Sequence, residues 1–261
     1  MYADPLVAEA LADLAQGLRS LGVSFCVIGA LAPELLLKTA PSTLTLDADV
    51  TVMIDDLVGF EKLKSDLVTF GFARTIRSYR LRHSKGGLVD LLPYSDTLAP
   101  QGILELEPGV QFNMAGFGQI ISSAVSTNVG AGVNVPVVPI ALYALLKLIA
   151  FDDRAQPKDL AGVLHCLRHY AENDDRKFGL AHDSVSVAYE MASAYLLGAD
   201  GRPYQDAAVI PPAVRVLNKF VNVHSRVVDQ AVRDRFSGVV RDEDRQEVYD
   251  LFQWYRKGAG I

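Results

Sequence analysis

Asp47 and Asp49 stand two apart in the run Leu44 to Ile54, where Ala48, Val50, Val52 and Ile54 alternate with Asp47, Asp49 and Thr51. A period of two is that of a half-buried strand, so both carboxylates leave the same face. They lie about 6.6 Å apart at Cβ level, for a rise near 3.3 Å per residue. Carboxylates at that separation can converge on one or two hard cations. Magnesium suits them because it prefers oxygen ligands, uses few protein carboxylates and completes its shell with water and phosphate oxygens. Manganese is the alternative ion. A third acid, Asp90, lies inside the apolar run Val89-Asp90-Leu91-Leu92, where a buried carboxylate needs a cation or a donor to offset its desolvation. An Asp-x-Asp pair is also what a solvated strand face carries, so the three acids must be weighed with their surroundings.

The elements that would position them can be read from pattern. Residues 4 to 21 repeat apolar positions at helical spacing (Leu6, Ala10, Leu14, Leu18, Leu21) and stop at Gly22; Val23 to Ile28 is a short strand-like run, and Gly29 precedes a helix over 31 to 39. Pro41 and Ser42 mark a loop before the Asp-x-Asp strand. Leu57 to Gly71 reads as a helix. Phe72 to His83 and Leu88 to Leu92 flank Ser84-Lys85-Gly86-Gly87, the signature of a hairpin. Residues 93 to 132 read as irregular, with one strand near 109 to 113. Pro139 opens a helix to about Asp153, Pro157 opens another to about Tyr170, and the remainder is mostly helical. The fold class expected is α+β: a mixed β-sheet with flanking helices over 1–135, followed by a helical C-terminal domain over 136–261.

Four motifs in order carry a resemblance. Gly29-Ala30-Leu31-Ala32, Thr45-Leu46-Asp47-Ala48-Asp49-Val50 and Val89-Asp90-Leu91-Leu92-Pro93-Tyr94 are followed by Lys147-Leu148-Ile149-Ala150-Phe151-Asp152-Asp153-Arg154 with Lys158-Asp159. The set resembles the AbiEii/AbiGii-like nucleotidyltransferases, the toxin side of bacterial abortive-infection and toxin–antitoxin systems, over roughly residues 20 to 200. The resemblance implies a DNA-polymerase-beta-like nucleotidyltransferase fold and transfer of a nucleoside monophosphate from a nucleoside triphosphate to a hydroxyl. It implies that Asp47, Asp49 and Asp90 are catalytic and hold two magnesium ions. It also implies that Gly29, Ala30, Lys147, Arg154, Lys158 and Asp159 serve the nucleotide, with Lys147 touching phosphate. The implied acceptor is a tRNA 3′ end or a partner protein, and the implied partner an antitoxin. Three positions depart from the pattern: Ala30 where glycine or serine is common, Thr43 where arginine is common, and Gly162 where an aspartate often follows the Lys-Asp pair.

Residue by residue, plainer roles compete. Lys147 could be an amphipathic lysine whose stem covers core, and Asp159, in a first helical turn, suits the helix dipole. Arg74, Arg77, Arg80, Arg82, His83 and Lys85 crowd the hairpin that delivers Asp90. They could receive an RNA backbone or a triphosphate tail, or they could simply protect an edge strand by charge. His165, Cys166 and His169 lack the partners of a zinc site.

Composition narrows the classes. The chain has 261 residues, is 50% hydrophobic and carries a net charge of −6, so it can bury a large core and offers no whole-surface grip on nucleic acid. Cys26 and Cys166 sit in apolar segments as expected of buried free thiols. The most apolar stretch, Val133 to Phe151, is broken by Pro136, Pro139 and Lys147, and the start of the sequence lacks a basic-then-apolar leader. The expectation is a soluble, cytoplasmic protein with no membrane partner. Beside the enzyme stand two alternatives: a nucleotide- or partner-binding protein of the same fold that does not turn over, and an aminoglycoside-modifying nucleotidyltransferase differing only in acceptor.

Overall fold

The computed structural model describes residues 4–37, 39, 45–130, 132–172, 174–180, 186–233 and 240–261. Pro41, Ser42, Thr43 and Leu44 lie outside the described residues. The chain forms two compact units, Met1–Pro139 and Ile140–Ile261.

In the first unit, α1 (Pro5–Ser20) starts at Pro5 behind Asp4, whose carboxylate accepts the Leu6 N–H and caps the helix. Then follow β1 (Phe25–Ile28), α2 (Leu31–Leu37), β2 (Asp47–Met53) and α3 (Leu57–Asp66), the last capped by the Asp56 carboxylate on the Gly59 N–H. Three strands come next: β3 (Phe72–Arg74), β4 (Arg80–His83) and β5 (Leu88–Tyr94). β6 (Ile103–Glu107), β7 (Val110–Asn113), the short helix α4 (Ile120–Ser123), β8 (Val125–Asn128) and β9 (Asn134–Val137) complete the unit. Seven strands make one mixed sheet in the order β3-β4-β5-β2-β1-β9-β8, and β6 and β7 pair separately. β2 is the middle strand, parallel to β5 and antiparallel to β1. Its apolar residues Ala48, Val50 and Val52, with Val89 and Leu91 of β5, are fully buried, and α1 packs on these two strands. The opposite face carries the acids.

Two expectations are corrected. The stretch 72–83 is not one arm but a hairpin of its own, with Phe72 opposite His83 and Arg74 opposite Leu81. The Thr75 hydroxyl reverses the chain by accepting the Arg77 N–H and donating to the Arg80 carbonyl. The region predicted to be irregular from 93 to 132 holds β6 and β8 as well as β7. These strands have four or five residues, and β8 is largely exposed along a sheet edge, so apolar alternation does not announce them.

The second unit is helical. Its described helices are α5 (Ile140–Arg154), α6 (Pro157–His169), α7 (Arg176–Gly179), α8 (Tyr189–Gly201), α9 (Ile210–Leu217), α10 (Arg226–Arg233) and α11 (Asp242–Ala259). α5 is buried on nearly all sides from Ile140 to Phe151, which explains why its sequence shows so little polar face. The α+β class and the helical C-terminal region are as expected. Among the described residues, no helix is long and apolar enough to cross a membrane.

Candidate active site

Neighbouring residues of a parallel strand pair project to the same side. Asp49 is the register partner of Asp90, and Asp47 that of Leu88, so the three acids share one face of the sheet at its middle. Asp90 is 8% exposed, and Asp47 and Asp49 are half-buried. Carboxylates at the roughly 4.8 Å strand spacing would repel each other by about 3 kcal/mol at an effective dielectric near 20, and a positive charge among them offsets that repulsion.

That charge is Arg80. It faces Asp90 across the β4–β5 pairing. Its Nε donates to Asp90 Oδ1 at 2.5 Å, and its Nη2 donates to Asp90 Oδ2 at 2.7 Å and to Asp47 Oδ2 at 2.6 Å. The bond to Asp90, opposed by burial and reinforced by the charges of Asp90 and Asp47, raises the Arg80 pKa further above its already high ordinary value. Charge-assisted, forked bonds of this kind are the strong ones.

Gly29 closes the other side. Its φ is +70°, in the left-handed region that favours glycine, and a Cβ built on it would lie 1.9 Å from Asp49 Oδ2. The space that the missing side chain leaves is therefore taken by the Asp49 carboxylate. Ala30 completes the turn and α2 follows, with the Ala32 N–H bonded to the Gly29 carbonyl. Behind the Asp-x-Asp strand, the Thr45 hydroxyl donates to Glu34 Oε1 at 3.1 Å. Burial pushes the Glu34 carboxyl above its usual range, and the Thr45 bond only partly offsets this.

A hard dication fits these residues in donor type, three carboxylates on one face of the sheet, one of them pressed against Gly29. As they stand, Asp47 and Asp90 turn their oxygens to Arg80. Among the described residues, no three acidic, histidine or cysteine side chains converge as a ready ligand cluster. Most of the basic hairpin residues are likewise committed to partners. Arg74 pairs with Glu61, Lys85 with Glu9 and His83 with Asp13, and Arg77 donates to the Tyr79 hydroxyl. Arg82 is exposed on the face that carries Arg80 and has no carboxylate partner among the described residues.

The remaining predicted residues belong to the second unit. Asp159 is fully buried (0% exposed), and it accepts Arg154 Nε at 2.7 Å, Arg154 Nη2 at 2.6 Å and Lys147 Nζ at 3.1 Å. Burial raises its pKa, but the Arg154 bond and the two cationic charges outweigh it and hold the carboxyl below its usual range. Asp159 thus fixes Lys147 and Arg154, while Lys158 is exposed and pairs with no carboxylate among the described residues. Gly162 has a packing reason for lacking a carboxylate, since a Cβ there would lie 2.6 Å from the Tyr143 hydroxyl. Both cysteines are free and buried, and burial pushes the Cys26 thiol up to about 12.

Sequence reasoning missed two participants. Arg80 was grouped with a basic patch, because counting outward from a four-residue Ser84–Gly87 turn sets Leu81 opposite Asp90, whereas His83 in fact faces Gly87 across a three-residue loop and the register brings Arg80 level with Asp90. Glu34 gave no signal, because its partner is eleven positions away in the sequence.

The sequence matches no protein-family model and no curated protein. The family resemblance therefore rests on the four motifs alone. Among solved structures, an antigenic nucleotidyltransferase-like protein from Paracoccidioides brasiliensis aligns with a TM-score of 0.44 at 19% identity, covering 63% of this chain and 77% of that one. The Elizabethkingia meningoseptica CdnE cyclic dinucleotide synthase, solved with GTP and Apcpp, aligns with a TM-score of 0.28 at 11% identity, covering 99% of this chain and 93% of that one. Likeness at these scores carries no weight in the functional reading.

Replacing Gly29 by alanine forces Asp49 aside and strains the turn; unfolding in urea should show a loss of about 1–3 kcal/mol. Asp159→Asn removes the buried anion that holds Lys147 and the half-exposed Arg154 and should cost about 1–3 kcal/mol in the same measurement. Because the folded pKa of Asp159 is depressed, its contribution is complete above the unfolded value near 3.9 and is lost as pH falls through the folded value. The stability gap between wild type and Asp159→Asn should therefore narrow below about pH 4.

Proposed function

We propose that this chain is a metal-dependent nucleotidyltransferase that moves a nucleoside monophosphate from a nucleoside triphosphate to a hydroxyl acceptor and releases pyrophosphate. The observation that carries this reading is the β2–β5 register, which sets Asp49 beside Asp90 with Asp47 on the same face. Asp47, Asp49 and Asp90 would hold magnesium or manganese, which would supply positive charge to offset the charge of the phosphates during transfer. Asp90, the acid contributed by β5 and mostly buried, would orient the acceptor hydroxyl and take up its proton. Gly29 keeps the wall of the site low enough for Asp49 to stand against it.

The ordered motifs, through their resemblance to AbiEii/AbiGii-like proteins, support a toxin whose acceptor is a tRNA 3′ end or a partner protein and whose own partner is an antitoxin. Arg80 favours a second reading, because a site whose acids already carry a counter-ion suits a protein that binds nucleotide without turnover. Calorimetric titration with nucleotide and magnesium, followed by a pyrophosphate assay, separates the two.

With a labelled nucleoside triphosphate, wild type should transfer label to acceptor, and Asp47→Asn or Asp49→Asn should lower the rate at least about a hundredfold. Undiminished labelling by both variants removes the assignment. Expression should arrest bacterial growth, and Asp49→Asn should relieve the arrest.

A further inference from the structure

Among the described residues, Arg80 is a cation aimed into the acidic face, bonded to Asp90 and Asp47. Its side chain is 21% exposed, so its charge is only partly screened. It occupies both oxygens of Asp90 and one oxygen of Asp47. These belong to two of the three carboxylates that a dication at this place would need. A guanidinium and a hard dication cannot both take the same lone pairs, since each draws the oxygens toward its own position. The fork also explains the choice of arginine. Lysine would supply equal charge at a single point, whereas the planar guanidinium reaches two acids at once and holds them in one orientation.

We propose that Arg80 is a resident counter-ion: it holds Asp47 and Asp90 together while no dication is bound, and it competes with the dication for their oxygens, so that metal loading requires the guanidinium to leave. This inference rests on the metal-dependent reading above. Its signature differs from that of an ordinary structural salt bridge. Loss of a structural bridge weakens the protein with or without metal and leaves metal affinity unchanged or lower. Loss of a competing counter-ion weakens the metal-free protein, tightens metal binding, and is rescued by metal.

The test uses the full chain after treatment with chelator. Manganese is titrated calorimetrically into wild type, Arg80→Gln and Arg80→Lys, and melting is followed with chelator and with manganese. Arg80→Gln should bind manganese at least about tenfold more tightly than wild type. It should melt below wild type in chelator and regain most of the difference with manganese. Arg80→Lys, which keeps the charge and so protects folding if the glutamine variant does not fold, should fall between the two. If wild type binds manganese and both variants bind it equally or more weakly, the counter-ion role is overturned while the metal-dependent reading stands. If neither wild type nor any folded variant binds manganese, both fall together.

Discussion

Three carboxylates set on one face of adjacent strands form a concentration of like charge, which this chain offsets with an opposite charge placed among them. The first unit is organised around that constraint. The parallel pairing of β2 with β5 creates the concentration by bringing Asp49 level with Asp90. The tight return from β5 to β4 answers it by setting Arg80 level with Asp90 from the other side. Gly29 gives Asp49 a place away from the other two acids. The apolar reverse of the same strands, Ala48, Val50, Val52, Val89 and Leu91, fixes the register, since a slip of one residue would put aspartates into the core.

The second unit meets a related problem in the opposite way. There a single carboxylate, Asp159, is taken fully out of water and two cations are brought to it. An acid so placed is a fixed point: Lys147 and Arg154, seven residues apart on α5, are held by one group in the first turn of α6. The plainer role that the sequence suggested for Asp159, complementing the helix dipole, is compatible with this position but smaller than the ion pairs it makes.

The face shared by Asp47 and Asp49 was legible because period-two alternation is strong in β2, and the strand around Asp90 because its apolar run is continuous. α5 and α6 were legible from Pro139, Pro157 and their apolar content. The rest was hidden for identifiable reasons. β8 is an exposed edge strand with polar residues and so lacks a buried face to read. The reversal at 75–79 depends on one threonine hydroxyl rather than on glycine or proline. Arg80 looked like one of six basic residues because its distinction lies in cross-strand register, which composition does not show. Glu34 and Thr45 are eleven positions apart and show no shared pattern in the sequence.

Arg80 also changes the charge count of the acidic face. Among the described residues, the three aspartates and the Arg80 guanidinium together carry two negative charges. A single divalent ion would cancel them while the guanidinium remained nearby. Any second ion would then face a neutral surface and would have to arrive together with an anion of its own, such as the polyphosphate it accompanies. Under the metal-dependent proposal, occupancy by a second ion would thus depend on nucleotide.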